Sequence, residues 1–243
     1  MPAPTTLELL WGAPSRPKRG PKPSLTLDRI VTEAVALADA EGLANLSMQR
    51  LAERLGCAKM ALYRYVPGKS ELNALMLESA LGAAPEPAAD QPDSPELPWR
   101  AYLRSWAQTF FDRAWAHPWT LELSTGARPM GPNEMSWLES ALAALADSGL
   151  TAAERLDTVV LLIGHARGLV QQAGATPDGD AEGRLVKEIG AILSAHRDRY
   201  PHVVSAFTDQ ATVRGEGRNN ALHYGIDRIL DGVGALINNR KQP

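Results

Sequence analysis

Side chains of the types that read DNA bases lie close together between residues 47 and 69. Five of them are candidates for contacts with base edges in the major groove: Gln49, Lys59, Met60, Ala61 and Arg64. Lysine and arginine donate to guanine acceptors, glutamine pairs with adenine, and methionine or alanine can contact the methyl group of thymine. The alternative is that Lys59 and Arg64 are ordinary solvated charges. For these residues to read bases, a secondary-structure element must present their side chains on a common face.

The spacing of apolar residues in this stretch predicts two short helices joined by a tight turn. The first runs from residue 47 to 55 with Leu51 and Ala52 on its inner face, and Ala52 is small enough for a close crossing. Gly56 follows at once, where a helix often ends in a left-handed conformation that glycine adopts at low cost. The second helix carries Leu62 inward. This is the pattern of a helix-turn-helix, whose second helix enters the major groove.

Capping residues delimit further helices around this motif. Thr26 and Ser47 each precede a helical pattern, and a hydroxyl in that position caps a helix N-terminus. Because a helix N-terminus also binds phosphate, Ser47 is a candidate for DNA contact. A proline–glycine pair then breaks the chain before a helix begins near Lys69. Residues 25–82 therefore predict a compact DNA-binding head of four helices.

Proline-rich segments flank the head. Residues 1–24 contain six prolines and four Lys/Arg, which predicts a flexible basic arm. This arm is either a disordered tail or a segment that contacts phosphates or the minor groove. Residues 83–98 are rich in proline, alanine and acids and predict a linker or long loop. Helical spacing resumes at residue 99, so residues 99–243 predict a second domain.

The second domain is also expected to be helical. Helices are predicted at residues 99–116, 120–124, 133–148, 151–173, 180–196, 201–206 and 219–238. No segment shows the alternation of apolar and polar residues that is typical of a strand. The predicted fold class is therefore all-α.

Charge and cysteine usage limit the class of protein. Residues 16–69 hold ten Lys/Arg against five Asp/Glu, whereas the net charge of the whole chain is −3, which leaves −8 for the remainder. A basic segment beside an acidic body is typical of a nucleic-acid-binding module attached to a non-binding domain. The lone Cys57 excludes an internal disulfide, fits a reducing cytoplasm, and is more typical of a packed residue than of a redox sensor. We expect a cytoplasmic protein, since neither a secretory signal nor a membrane-length apolar run is recognisable.

Catalytic motifs are not recognisable in the sequence. There is no phosphate loop, no nucleophile elbow and no Cys/His metal spacing, and the five histidines are scattered. We therefore expect no enzyme activity, no cofactor and no metal site. The alternative of a helical protein that binds only protein partners is disfavoured by the basic residues of the second helix.

The head resembles the DNA-binding domain of the tetracycline-repressor (TetR) family of bacterial transcription regulators. The resemblance rests on the stretch LSMQRLAERLGCAKMALYRYVPGKSEL and covers roughly residues 25–81. It implies that Tyr63, Tyr65 and Lys69 contact phosphates, although either tyrosine can instead belong to the core. The segments PWRAYLRSWAQTFFDRAWAHPW, GARPMGPNEMSWLESALAALADSGL and HYGIDRILDGVGALI resemble the C-terminal domain of the tetracycline repressor. That domain binds a small molecule in its interior and dimerises through two helices from each subunit.

The resemblance implies a ligand-binding and dimerisation role for the second domain. Seven residues are candidates for lining an apolar pocket with a few polar groups: Trp106, Phe110, Trp119, Met130, Trp137, His165 and Gln171. Each aromatic residue taken singly is also typical of plain core. His165 can equally be a hydrogen-bonded core or interface histidine. The helices at 153–173 and 219–238 are the expected dimer bundle, since both keep apolar stripes beyond those that an internal core needs.

The resemblance is weakest where tetracycline repressors bind magnesium together with their drug. Ser124 stands where a ligating histidine is expected, Ala127 stands where a threonine would help, and Gln172 falls near the position of an acidic contact. Tetracycline with magnesium is therefore not the expected effector. The sequence predicts a homodimeric regulator, more specifically a repressor, that binds a palindromic operator and is released by an unidentified small molecule.

Overall fold

The computed structural model describes residues 4–12, 25–87, 96–174, 188–213 and 220–241, and all regular elements within these ranges are helical. The N-terminal helices are α1 (Thr6–Trp11), α2 (Leu27–Glu41), α3 (Met48–Leu55), α4 (Lys59–Leu62) and α5 (Lys69–Leu81). The remaining helices are α6 (Pro98–Ala116), α7 (Thr120–Leu123), α8 (Pro132–Ala144), α9 (Ala152–Gly174), α10 (residues 188–195), α11 (Pro201–Val213) and α12 (Asn220–Lys241). The prediction of an all-α fold is confirmed.

Helices α2 to α5 enclose the first of two hydrophobic cores. The side chains of Ile30, Leu51 and Leu62 are completely buried there. Thr26 caps α2 by accepting a hydrogen bond from Arg29 N at 3.2 Å, and Ser47 caps α3 in the same way. The predicted boundaries of these helices are confirmed because local capping chemistry and the apolar period agree.

The prediction of a flexible arm is wrong for residues 6–11, which form α1. Prolines lie on either side of this segment but not within it, so they do not interrupt its hydrogen bonds. Thr5 and Glu8 form a capping box at its N-terminus. Leu10 is buried against the head core, and the indole N–H of Trp11 donates to Met130 O at 2.9 Å. The rest of the arm, residues 1–3 and 13–24, lies outside the described residues.

The second core lies among α6, α8, α9 and α12. Trp106 is the largest of its fully buried side chains, and leucines from α9 and α12 belong to the same core. Ion pairs join α6 to α12 at the edge of this core, where Arg104 contacts Asp227 at 2.7 Å and Arg100 contacts Asp231 at 2.6 Å. The long helices therefore form one packed bundle.

Three segments differ from their predicted bounds. The predicted helix at 133–148 is divided into α8 and a 3-10 turn at Ala146–Ser148, which left-handed Gly149 ends. Helix α11 extends beyond the predicted end at residue 206, since neither glycine nor proline interrupts residues 207–213. Residues 180–187 of the predicted helix at 180–196 lie outside the described residues, as do residues 175–179 of the predicted loop.

Candidate DNA-reading surface and ligand cavity

A tight turn fixes α4 against α3. Gly56 adopts a left-handed conformation with φ of +66°, and Cys57 N donates to Ala52 O at 3.0 Å. Ala52 is buried, which allows the two helices to approach closely, and Leu62 of α4 is fully buried in the head core. The left-handed glycine confirms the predicted turn. The opposite side of α4 is consequently left for solvent or a ligand.

The candidate base-reading residues lie on the solvent side of this turn. Gln49, Lys59 and Arg64 are exposed, and Met60 is 72% exposed, which is unusual for a large apolar side chain. Ala61 is half-buried. Gln49 reaches along α3, where its amide donates to Glu53 Oε1 at 2.7 Å. The structure thus brings Lys59, Met60 and Arg64 together on one exposed surface.

Ion pairing divides the basic residues of the head into two groups. Arg54 pairs with Glu33 at 2.8 Å, and Arg50 pairs with Glu41. Lys59, Arg64 and Lys69 form no ion pair with any residue that the structure describes. These three cations are therefore available to an anionic partner such as the DNA backbone.

The candidate phosphate contacts have mixed environments. Tyr63 and Tyr65 are half-buried and pack against the head core, so each combines a core face with an accessible edge. Lys69 is exposed at the first position of α5, whose N-cap Gly68 has no capping side chain. The Ser47 hydroxyl oxygen accepts from Arg50 N, which places Ser47 at the N-terminus of α3. Helix N-termini of this kind can bind phosphate through backbone N–H groups.

A cavity of about 290 Å³ lies between α5 and the helices α6 to α9. Four predicted pocket residues line it: Trp106, Phe110, Met130 and Trp137. The rings of Trp106 and Phe110 are stacked with centroids 6.2 Å apart, and Trp137 meets Trp106 edge-on at 5.2 Å. The cavity wall therefore contains three clustered aromatic rings, of which Phe110 is the most accessible.

The other three predicted pocket residues lie elsewhere, which corrects that part of the prediction. Trp119 belongs to the head core, where its indole N–H donates to Asp39 at 2.7 Å. His165 lies against α12, with Nε2 3.1 Å from Leu222 O. Gln171 is exposed near the end of α9. Residue type alone does not reveal the helical face, and these side chains point away from the cavity.

Charged residues form a part of the cavity wall that the sequence interpretation missed. Arg113, Arg128, Arg167 and Glu134 all line it. Arg128 forms a two-pronged ion pair with Glu134, and this hydrogen bonding raises the pKa of Arg128 despite the opposing effect of burial. Desolvation alone lowers the pKa of Arg113. Of these four residues, only Arg167 stands out in the sequence, because it interrupts the apolar run of α9.

Three contacts attach the cavity wall to the end of α5. Arg113 donates to the carbonyls of Leu81 and Ala83, and Trp137 Nε1 donates to Gly82 O at 2.9 Å. The Arg113 guanidinium also lies 5.0 Å above the ring of Trp137. Since α5 carries part of the head core at its other end, this helix connects the cavity to the head.

Glu78 forms a further joint between α5 and α8. Its carboxylate accepts from Asn133 N, and Asn133 Nδ2 donates to Glu78 O at 3.0 Å. Burial raises the pKa of Glu78, although the backbone hydrogen bonds from Asn133 and Glu134 partly oppose this shift. The carboxylate therefore serves as the N-terminal cap that α8 lacks from its own sequence.

Two further features concern the described ranges: groups of metal-ligating side chains and membrane-spanning helices. No group of three or more histidine, cysteine, aspartate or glutamate residues there could bind a metal ion. Among the same residues, no helix is sufficiently long and apolar to cross a membrane.

Two sequence models of protein families match the chain. The model of the tetracycline-repressor-like C-terminal domain matches residues 91–237. The model of the bacterial regulatory proteins of the tetR family matches residues 30–74. Together they cover the head and the cavity-bearing bundle.

Curated relatives and solved structures agree with these matches. The HTH-type transcriptional repressor DrrR1 of Streptomyces coeruleorubidus is 38% identical over 245 residues, covering 97% of this chain and 87% of the relative. Tetracycline repressor protein class E of Escherichia coli is 26% identical, covering 89% of this chain and 94% of its own. The Streptomyces coelicolor regulator SCO7222 has a TM-score of 0.70 and 27% identity, covering 87% and 99% of the two chains. The fold is also shared with S. coelicolor ActR in complex with actinorhodin, with a TM-score of 0.73, 24% identity and coverage of 88% and 97%.

Proposed function

Because the chain belongs to the TetR family of transcription regulators, which are not enzymes, we propose that it is a repressor that binds a palindromic operator as a homodimer and is released by a small molecule. The observation that carries this proposal is the exposed surface of α4 and the turn after it, where Lys59 and Arg64 have no ion-pair partner within the described residues. Unpaired cations beside exposed Met60 are suited to the major groove.

We assign two kinds of DNA contact to this surface. Base reading is assigned to Gln49, Lys59, Met60, Ala61 and Arg64. Phosphate binding is assigned to Ser47 and Lys69, which lie at helix N-termini, and to Tyr63 and Tyr65, which are half-buried beside the head core. Phosphate contacts fix the register of the head, and base contacts select the sequence.

A dimer is supported by apolar residues that α9 and α12 leave exposed. Val160 and Leu161 of α9 are 59% and 57% exposed, and Tyr224 and Leu236 of α12 are exposed as well. The inner faces of the same helices fill the second core, so that core does not include these outer residues. Two-fold pairing of the helices would bury them and would place two heads on one operator.

Release by a ligand is supported by the shared helix α5. A molecule in the cavity would touch Arg113 and Trp137, which donate to the carbonyls at the end of α5. Any shift of that end changes the position of the head and therefore the spacing between two heads in a dimer. The ligand would thus favour a state that no longer fits the operator. The ActR complex with actinorhodin supports small-molecule binding in a protein of this fold.

The division of the chain follows from these roles. We propose an arm at residues 1–24, a DNA-binding domain at 25–82, a linker at 83–98 and a ligand-binding and dimerisation domain at 99–243. The arm includes α1, which contacts α5 and the Met130 segment. A regulator of chromosomal genes would act in the cytoplasm.

Selection of bound fragments from the encoding organism's genome tests the proposal. Fragments retained by the full-length protein at physiological salt should share an inverted repeat, with half-sites one helical turn or a multiple apart. Scrambling one half-site should weaken binding in a gel shift. Failure to enrich any sequence over random fragments would contradict the repressor function.

Light scattering with a charged substitution tests the dimer separately. Leu161→Arg should convert the dimer to a monomer at micromolar concentration, because it buries a charge in an apolar interface. Met135→Arg, on an exposed part of α8, is the matched control and should leave the dimer intact. A monomeric parent protein would remove the symmetric mode of operator binding.

A further inference from the structure

We propose that the effector cavity selects a planar aromatic molecule that carries a negative charge, such as a carboxylate or an ionised phenol, and that Arg167 binds the charged group. This inference rests on the proposed function, in which the cavity holds the effector. It specifies the chemistry of that effector from the charges and rings of the wall.

The charges of the cavity wall do not balance. Three arginines line the cavity against one acid, Glu134, which is fully engaged by Arg128. The neighbouring carboxylate of Glu78 is occupied by the N-terminus of α8 and interacts with Arg128. Arg113 and Arg167 have no carboxylate partner among the described residues. The lining residues therefore carry an excess of two positive charges, of which Glu78 behind Arg128 offsets at most one.

Several N–H donors of Arg167 have no hydrogen-bond partner among the described residues. Its Nη1 donates to Ser124 Oγ at 2.7 Å, and its Nη2 donates to Leu121 O at 3.1 Å. Both acceptors are neutral, and the other three of its five N–H groups have no partner within the described residues. A ligand anion can therefore form charge-assisted hydrogen bonds with Arg167 without breaking an existing ion pair.

Arg113 is less suited to direct recognition. It binds the carbonyls of Leu81 and Ala83 at the end of α5 and lies over the ring of Trp137. Its charge still contributes a positive potential to a largely apolar cavity, where low polarisability strengthens electrostatic interactions. A cationic ligand would be repelled there, and a neutral one would leave Arg167 without an anionic partner.

The rings of the wall define the shape of the ligand. Trp106 and Phe110 are nearly parallel, with an interplanar angle of 10°, and Trp137 crosses Phe110 at 72°. Phe110 is half-buried, whereas Trp106 and Trp137 are 1% and 3% exposed, so a flat ring system would stack on Phe110. Aliphatic side chains of α9, Val159 and Ile163, complete the apolar surface.

Two probes of nearly equal shape, one anionic and one neutral, test whether the cavity prefers a negative charge. The full-length protein is titrated with 2-naphthoate and with 2-naphthamide, and binding is followed by calorimetry and by quenching of tryptophan fluorescence. We expect naphthoate to bind about tenfold more tightly or better, the size expected for a charge-assisted contact. Equal affinities, or no binding of either probe at millimolar concentration, would overturn the proposal.

Substitution of Arg167 tests whether this residue binds the charged group of the ligand. Arg167→Met should remove the preference for naphthoate, and Arg167→Lys should keep most of it, with thermal unfolding used to verify that both variants fold. Arg199→Met is the control, since Arg199 is exposed and lies over Tyr200 outside the cavity. A preference that survives Arg167→Met would overturn the assignment. If the protein prefers naphthoate but naphthoate does not affect operator binding, the inference about the cavity stands. That result would contradict the proposal that an effector releases the operator.

Discussion

The indole N–H of Trp137 donates to the carbonyl of Gly82 at 2.9 Å, so a residue of the cavity wall binds the end of the helix that carries the DNA-binding head. Gly82 is the C-cap of α5, where a helix has carbonyls without partners inside the helix. A ligand that moves the Trp137 ring therefore changes the capping of α5 directly. This hydrogen bond is one physical connection between the cavity wall and the helix that carries the head core.

Trp137→Phe should loosen this connection while preserving an aromatic ring. The substitution leaves Gly82 O without its donor, which should cost about 1 kcal/mol of the free energy of unfolding. Hydrogen exchange should increase in the last turn of α5. Trp99→Phe, on α6, removes the same atoms elsewhere and is the control. Unchanged exchange in α5 would show that the hydrogen bond does not restrain it.

Arg64→Ala should weaken operator binding by about 1–3 kcal/mol and relax the preference at one base position, because an unpaired arginine on this surface can read guanine. Arg54→Ala is the matched control, since Arg54 pairs with Glu33 and should affect specificity little. Competition binding with single-base variants of the selected operator measures both. If Arg64→Ala weakens all sequences equally, the residue contacts phosphate and not bases.

Gly131→Ala should destabilise the protein through a collision with Glu78. A Cβ atom at residue 131 would overlap the Glu78 carboxylate, which caps α8 through Asn133 N. The backbone of Gly131 has φ of −89°, which alanine adopts without strain, so the effect isolates the collision. We expect a loss of about 1–2 kcal/mol in urea unfolding.

The control for this substitution is Gly190→Ala in α10, where nothing lies near the added methyl group. It should be neutral or stabilising by up to about 1 kcal/mol, since alanine favours a helix more than glycine does. Equal stability of the two variants would mean that Glu78 moves aside freely.

The stability of the protein should depend on pH through Glu78. Burial raises its pKa above the ordinary value of 4.5, so the folded state binds this proton more tightly than the unfolded state. The contribution of Glu78 to stability should therefore fall as the pH rises from about 4.5 through the raised pKa. Urea unfolding of the parent and of Glu78→Gln, compared over roughly pH 4 to 7, isolates this group.

This comparison is needed because other carboxyl groups act in the opposite direction. Hydrogen bonds from Thr151 lower the pKa of Glu154, and the hydrogen bond from Arg228 lowers the pKa of Asp231. Those groups favour folding as the pH rises. A difference between parent and Glu78→Gln that stays constant with pH would contradict the assigned effect of burial.

The sequence alone predicts the head because its determinants are local. Capping by Thr26 and Ser47, the left-handed turn at Gly56 and the inward position of Leu62 all follow from residues within one or two helical turns. The same locality explains why the helix bounds of the second domain are largely predictable. Helix α1 has a local capping box at Thr5 and Glu8, but the prolines around it outweigh that pattern in the sequence, and its packing depends on Leu10 reaching the head core and Trp11 reaching the Met130 segment.

The cavity required the tertiary structure. Three aromatic residues and Met130 identify four members of its wall, but whether Trp119 faces the cavity or the head is decided by its packing in the head core and its hydrogen bond to Asp39 of α2. Arg113 and Arg167 carry charges that a sequence pattern places on a solvated face, and only the crossing of distant helices turns them inward. Short-range spacing therefore determines what this protein binds through its head, whereas long-range packing decides where a ligand fits and which charge it meets.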